Sequence, residues 1–162
     1  MVREQIEARG IRDARVLKAM RHVPRDAFIP DEMVPHAYSD TALPIASGQT
    51  ISQPYVVAWM TSLLELHADA RVLEIGTGSG YAAAVLAQVA AEVFTVERHA
   101  SLSASAERVL SELGYDNVRV RCADGTRGWP EQAPFDGIVV AAGGPVVPES
   151  LRRQLAVGAR LV

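Results

Sequence analysis

The chain has 162 residues, 49% of them hydrophobic, which suits one domain with a sizeable core. A formal net charge of -3 with Lys and Arg scattered along the chain gives no basic stripe, so nucleic acid is not expected as a partner. The single cysteine, Cys122, excludes an intrachain disulfide and a thiolate zinc cluster, while the lack of a signal segment or a run of about 18 apolar residues predicts a soluble cytoplasmic protein with no membrane partner.

Residues 1–53 read as an N-terminal helical and loop subdomain. Ile11, Val16, Leu17 and Met20 mark short helical turns, and Pro24, Pro30, Pro35 and Pro44 cut the next stretch into pieces too short for a long helix. Pro54 fits a first helical position, with Ser52 before it as a candidate cap, and a helix over 54–66 follows with Val56, Val57, Met60, Leu63 and Leu64 on one face. From residue 70 the pattern alternates: "ARVLEI" as strand, an alanine-rich helix after Gly80, then "AEVFTVE" as strand. Leu102, Ala106, Val109, Leu110 and Leu113 space out one helix face that stops at Gly114. The strands "NVRVRC" and "FDGIVVAA", a short helix near 148–156 and a final strand "ARLV" complete the series. Strands alternating with helices predict an α/β fold, a doubly wound and mainly parallel Rossmann-like sheet, over residues 54–162.

The stretch "VLEIGTGSGY" places Gly76, Gly78 and Gly80 at a strand end leading into a helix, where backbone N–H groups can approach a ligand closely. Gly78, Gly80 and Ala83 also satisfy the dinucleotide pattern G-x-G-x-x-G/A. Glu74 separates the two ligands, because a carboxylate beneath the loop would repel a pyrophosphate and tolerate a cationic amino-acid moiety, which favours S-adenosylmethionine. Glu97, at the end of the second strand, is placed to accept from ribose hydroxyls, a role that suits NAD equally well. Asp124, at the end of the third, is placed to reach an adenine amino group. His22, His36, His67 and His99 share no spacing, so no metal is expected. Trp59 reads as core, and Cys122 as a buried small hydrophobe.

Together these residues are similar to the successive cofactor motifs of class I S-adenosylmethionine-dependent methyltransferases. The segments "VPRDAFIP", "AYSDTALPI" and "GQTISQPYVVAWM" narrow the resemblance to the protein-L-isoaspartate O-methyltransferase family, and it runs along the whole chain. The resemblance implies methyl transfer from S-adenosylmethionine to the free α-carboxylate of isoaspartyl residues in damaged proteins and peptides. It implies cofactor contacts from Glu74, Gly76, Thr77, Gly78, Ser79, Gly80, Glu97, Asp124 and Gly125. It makes Ser52 the active-site serine, with Thr50 beside it as a second small donor. Two positions depart from the family pattern: Ala46 stands where glycine is common, and so does Ala123. The family continues through a further antiparallel strand pair, so the chain is expected to be a fragment of a longer protein or to pair its last strand with another chain, the full-length family being monomeric.

Two other readings compete. A non-catalytic domain that keeps the cofactor pocket would show binding without turnover. A nicotinamide oxidoreductase would use the overlapping glycine pattern, but Glu74 and the absence of a Tyr-x-x-x-Lys pair weigh against it.

Overall fold

A computed structural model describes residues 1–162. Asp13 caps helix α1 (Ala14–His22), its carboxylate accepting from the N–H groups of Arg15 and Val16. The proline-divided stretch then forms two tight helical turns, Arg25–Phe28 and Asp31–His36. A small antiparallel ladder pairs β1 (Leu43–Pro44) with β2 (Thr50–Ile51). Helix α2 (Pro54–Leu63) starts at the expected proline and stops three residues short of the predicted end, as Glu65 turns left-handed with φ 49°. There follow β3 (Arg71–Ile75), α3 (Tyr81–Ala87), β4 (Glu92–Glu97), α4 (Ala100–Glu112), β5 (Val118–Cys122), β6 (Phe135–Val140), α5 (Glu149–Arg152) and β7 (Leu155–Leu161).

The main sheet has five strands in the order β5-β4-β3-β6-β7, every neighbouring pair parallel. This is the predicted α/β Rossmann-like architecture. Successive connections run outward from β3 to β5, and the chain then returns to the other side of β3, so the order reverses between β3 and β6. Ligands of such sheets lie at the carboxyl ends of the strands flanking that reversal.

Side chains alternate across β3 and β4, and both faces are covered. Val72 and Val93 join a cluster of 29 buried residues that also includes Met20, Val57, Val85 and Leu110 from α1 to α4. Leu73, Phe94 and Ile138 pack on the opposite face with Leu151 of α5. The larger cluster draws members from both sides of residue 53, taking in Ile6, Phe28, Leu43 and Ile51 as well as Val57 and Val72.

Helix α4 ends as its glycine predicts. Gly114 has φ 77°, its N–H bonds to Ser111 O, and the N–H of Tyr115 reaches back to Leu110 O, both at 3.0 Å. The last strand differs from expectation by starting at Leu155, ahead of "ARLV". Leu155 pairs with Phe135 and Arg160 with Gly137, so the residues between loop out around Gly158, which has φ 85°. Two side chains correct the sequence reading. Trp59 is 48% exposed, because the buried stripe of α2 runs through Pro54, Val57, Ala58 and Thr61 and leaves it on the other side. Cys122 is exposed, because it lies on β5, an edge strand. No helix is long and apolar enough to cross a membrane.

Candidate active site

A small, open cleft lies beside the carboxyl ends of β3 and β6. The glycine loop supplies one wall through Gly76, Thr77, Gly78 and Ser79, while Thr50, Ile51, Ser52 and Val57 supply another. Tyr81, Ala82 and Ala141 complete the lining. Two sets of residues chosen independently from the sequence therefore meet: the glycine loop, and the Thr50–Ser52 segment.

The loop is built from left-handed residues. Gly76, Gly78 and Gly80 have φ of 95°, 55° and 92°, a region L-residues seldom adopt. Their surroundings differ. A Cβ on Gly78 would sit 3.6 Å from Ile45, so this glycine passes beneath the β1–β2 hairpin. A Cβ on Gly80 would meet Ala106 and Leu110 at 3.3 Å. Gly80 thus serves the seating of α3 against α4, and it is not among the residues lining the cleft.

Glu97 is buried, with an oxygen for each of two backbone groups: Oε2 accepts from Gly78 N–H and Oε1 from His99 N–H, both at 2.9 Å. It holds the glycine loop in shape, and a carboxylate has lone pairs remaining for further donors. Glu74 lies deeper, 1% exposed, beneath the loop. Thr95 Oγ1 donates to its Oε2 at 2.6 Å, and Thr77 Oγ1 lies 2.6 Å from the same Thr95 hydroxyl, so a chain of hydroxyls joins Glu74 to the cleft wall. Oε1 of Glu74 has no hydrogen-bond partner. Burial pushes the Glu74 carboxyl up to about 8, with nearby Glu97 adding to the effect and the Thr95 bond opposing it. Repulsion by a fixed charge, the ground on which a pyrophosphate is disfavoured from sequence, is therefore weak near neutral pH, and neither Glu74 nor Glu97 is among the residues lining the cleft.

Asp124 and Gly125 stand apart from the cleft lining. Asp124 is exposed and caps the turn Gly125–Arg127, where hydrogen bonds from the Thr126 hydroxyl and N–H hold its carboxyl below the usual aspartate value. Ser52 is half-buried in the cleft and caps nothing: the N-cap of α2 is Gln53, with no side-chain capping bond. Residues not foreseen from sequence include Tyr81, Ala82 and Ala141. Ala141 follows β6, whose position beside β3 is a matter of topology that residue types do not carry.

The sequence model described as protein-L-isoaspartate(D-aspartate) O-methyltransferase matches residues 1–162. The chain belongs to this family. Protein-L-isoaspartate O-methyltransferase 1 of Rhodopseudomonas palustris (strain HaA2) is 61% identical over the whole chain, which spans 66% of that relative. A solved protein-L-isoaspartate O-methyltransferase superposes with a TM-score of 0.90 at 33% identity, covering 99% of this chain and 54% of the other. A Plasmodium falciparum protein described as a protein-L-isoaspartate O-methyltransferase, solved in complex with S-adenosyl-L-homocysteine, gives 0.84 at 27% identity, covering 99% of this chain and 80% of its own. In this chain the glycine loop and the Thr50–Ser52 segment line one opening, although they lie far apart in sequence.

Proposed function

We propose that the chain binds S-adenosylmethionine against the glycine loop and transfers its methyl group to the free α-carboxylate of isoaspartyl residues in damaged polypeptides. The observation that carries this reading is the shared cleft, in which Thr50 and Ser52 stand opposite Gly76 to Ser79. The ligand fits what the site offers. The Glu97 carboxylate that accepts from the Gly78 N–H has spare acceptor capacity, and a family relative of known structure holds S-adenosyl-L-homocysteine.

When bound, the cofactor supplies an activated methyl group on a sulfonium. The substrate carboxylate is ionised at neutral pH, so the protein has no proton to remove. Its work is alignment and exclusion of water. Thr50 and Ser52 offer hydroxyl donors that orient the carboxylate without neutralising it. Ile51, Val57, Tyr81 and Ala82 form an apolar surround. A carboxylate oxygen oriented by Thr50 and Ser52 would take the methyl carbon from a cofactor held against the glycine loop, with the carbon–sulfur electron pair leaving on sulfur.

Labelled S-adenosylmethionine offered with matched isoaspartyl and aspartyl peptides tests the reading. The isoaspartyl peptide alone should be labelled. Equal labelling of both peptides, or S-adenosylhomocysteine binding with no labelling of either, would overturn it.

A further inference from the structure

The first turn of α2 receives its acceptor from a distant residue. Asp40, between the turn Asp31–His36 and β1, directs Oδ1 at the N–H of Tyr55 at 3.3 Å. Gln53 Nε2 donates to Asp40 Oδ2 at 2.8 Å and to its backbone oxygen at 3.0 Å. Oδ2 also accepts from Arg9 Nη1 at 2.7 Å, and the Arg9 guanidinium lies 3.5 Å from the centroid of the Tyr55 ring. A negative charge at this end of a helix opposes the exposed N–H dipoles, and bonds to an ionised acceptor are the stronger kind.

The segment that carries Asp40 is itself fastened on both sides. Arg25, fully buried, donates from Nε to Ala37 O at 2.8 Å and from Nη2 to Thr41 O at 3.4 Å. Asp40 is thus fastened in place, and it joins three separate parts of the chain at one point: the helical turn Glu7–Arg9, its own loop, and the start of α2. Gln53 is the chain neighbour of Ser52. Because Asp40 provides the helix-end acceptor, the Ser52 hydroxyl is left to the cleft.

We propose that Asp40 is a positioning residue, which holds the Thr50–Gln53 segment in register with the glycine loop so that the substrate carboxylate meets donors already in place. The proposal rests on the carboxyl-methyltransfer reading for its kinetic consequence and on hydrogen bonding alone for its structural one. An asparagine cannot replace this aspartate. Its single acceptor oxygen would serve either the Tyr55 N–H or the Gln53 and Arg9 donors, and its NH₂ would face the remainder.

The test compares the wild-type chain with Asp40→Asn and Asp40→Glu by amide hydrogen exchange over residues 51–57, S-adenosylhomocysteine calorimetry and steady-state methylation of the isoaspartyl peptide. Asp40→Asn should exchange faster at these amides and lose roughly ten- to a hundredfold in kcat/KM for the peptide, the scale of a small misplacement. Its S-adenosylhomocysteine affinity should stay within about twofold, since the glycine loop is built without Asp40. Asp40→Glu, which keeps the charge, should recover part of the loss. Unchanged exchange would overturn the proposal, as would equal losses of peptide turnover and S-adenosylhomocysteine affinity that track the melting temperature. Should Asp40→Asn fail to fold, Gln53→Ala carries the same test, because it cuts the link to the segment and keeps the contacts of Asp40 with Arg9 and Tyr55. A wild-type chain that labels no isoaspartyl peptide would refute the methyltransfer reading, and the exchange rates would still decide the structural claim.

Discussion

Replacing Glu74 by Gln should remove a pH dependence of folding that the wild-type chain carries. The Glu74 side chain is buried with one hydroxyl partner, Thr95, and burial pushes its pKa up to about 8 from the ordinary 4.5. Between those two values the folded chain holds a proton that the unfolded chain releases, so stability falls as pH rises. The contribution is fully present below about 4.5 and is lost once pH passes about 8. The gap corresponds to at most ~5 kcal/mol. Gln keeps an oxygen for the Thr95 hydroxyl and never ionises, so the variant should lack this decline and exceed the wild type at the alkaline end. Urea unfolding of both proteins from about pH 5 to about pH 9 gives the comparison, because other titrating groups are common to the two curves. Wild-type and variant curves that run parallel across the range would show that Glu74 is ionised in the folded chain and that the reasoning from burial is wrong.

Glu97→Gln must turn its NH₂ toward the N–H of either Gly78 or His99; it should cost about 1–3 kcal/mol of stability and weaken S-adenosylhomocysteine by about 1.5–3 kcal/mol. Calorimetry and melting that both match the wild type would dismiss Glu97 from loop and ligand alike. Ser52→Ala should lower turnover of the isoaspartyl peptide and leave stability within about 0.5 kcal/mol, because Ser52 caps nothing. A loss near 1 kcal/mol with normal turnover would instead make it a helix cap in solution.

Local signals were legible in the sequence wherever the cause is local. Gly114 ends its helix through contacts a few residues away, and the strands after residue 70 stood out as short apolar, β-branched runs because both faces of the central sheet are buried. The glycine loop and the Thr50–Ser52 segment were each visible, yet their meeting depends on the strand order and on the N-terminal half folding over the sheet. Ser52 looked like a cap because sequence reasoning searches for caps beside the helix, whereas Asp40 does that work from 15 residues before Tyr55. Gly80 matched a ligand-binding pattern while answering to Ala106 and Leu110, side chains on another helix. Burial decides the charge state of Glu74, and burial belongs to the tertiary structure.

The apolar cluster that joins Ile6, Met20 and Phe28 to Val72, Val93 and Val139 has a consequence for how the chain acquires its shape. The early residues find those partners only after 44 or more further residues have been made, counting from Phe28 to Val72. Contacts of such long sequence separation make folding slow, since loop closure precedes the gain from packing. On the ribosome the N-terminal segment can pack early on α2, through Val57 and Ala58, but its burial is completed only when the central strands follow it out. The cleft comes into being in the same late step, because its two walls lie on either side of that closure.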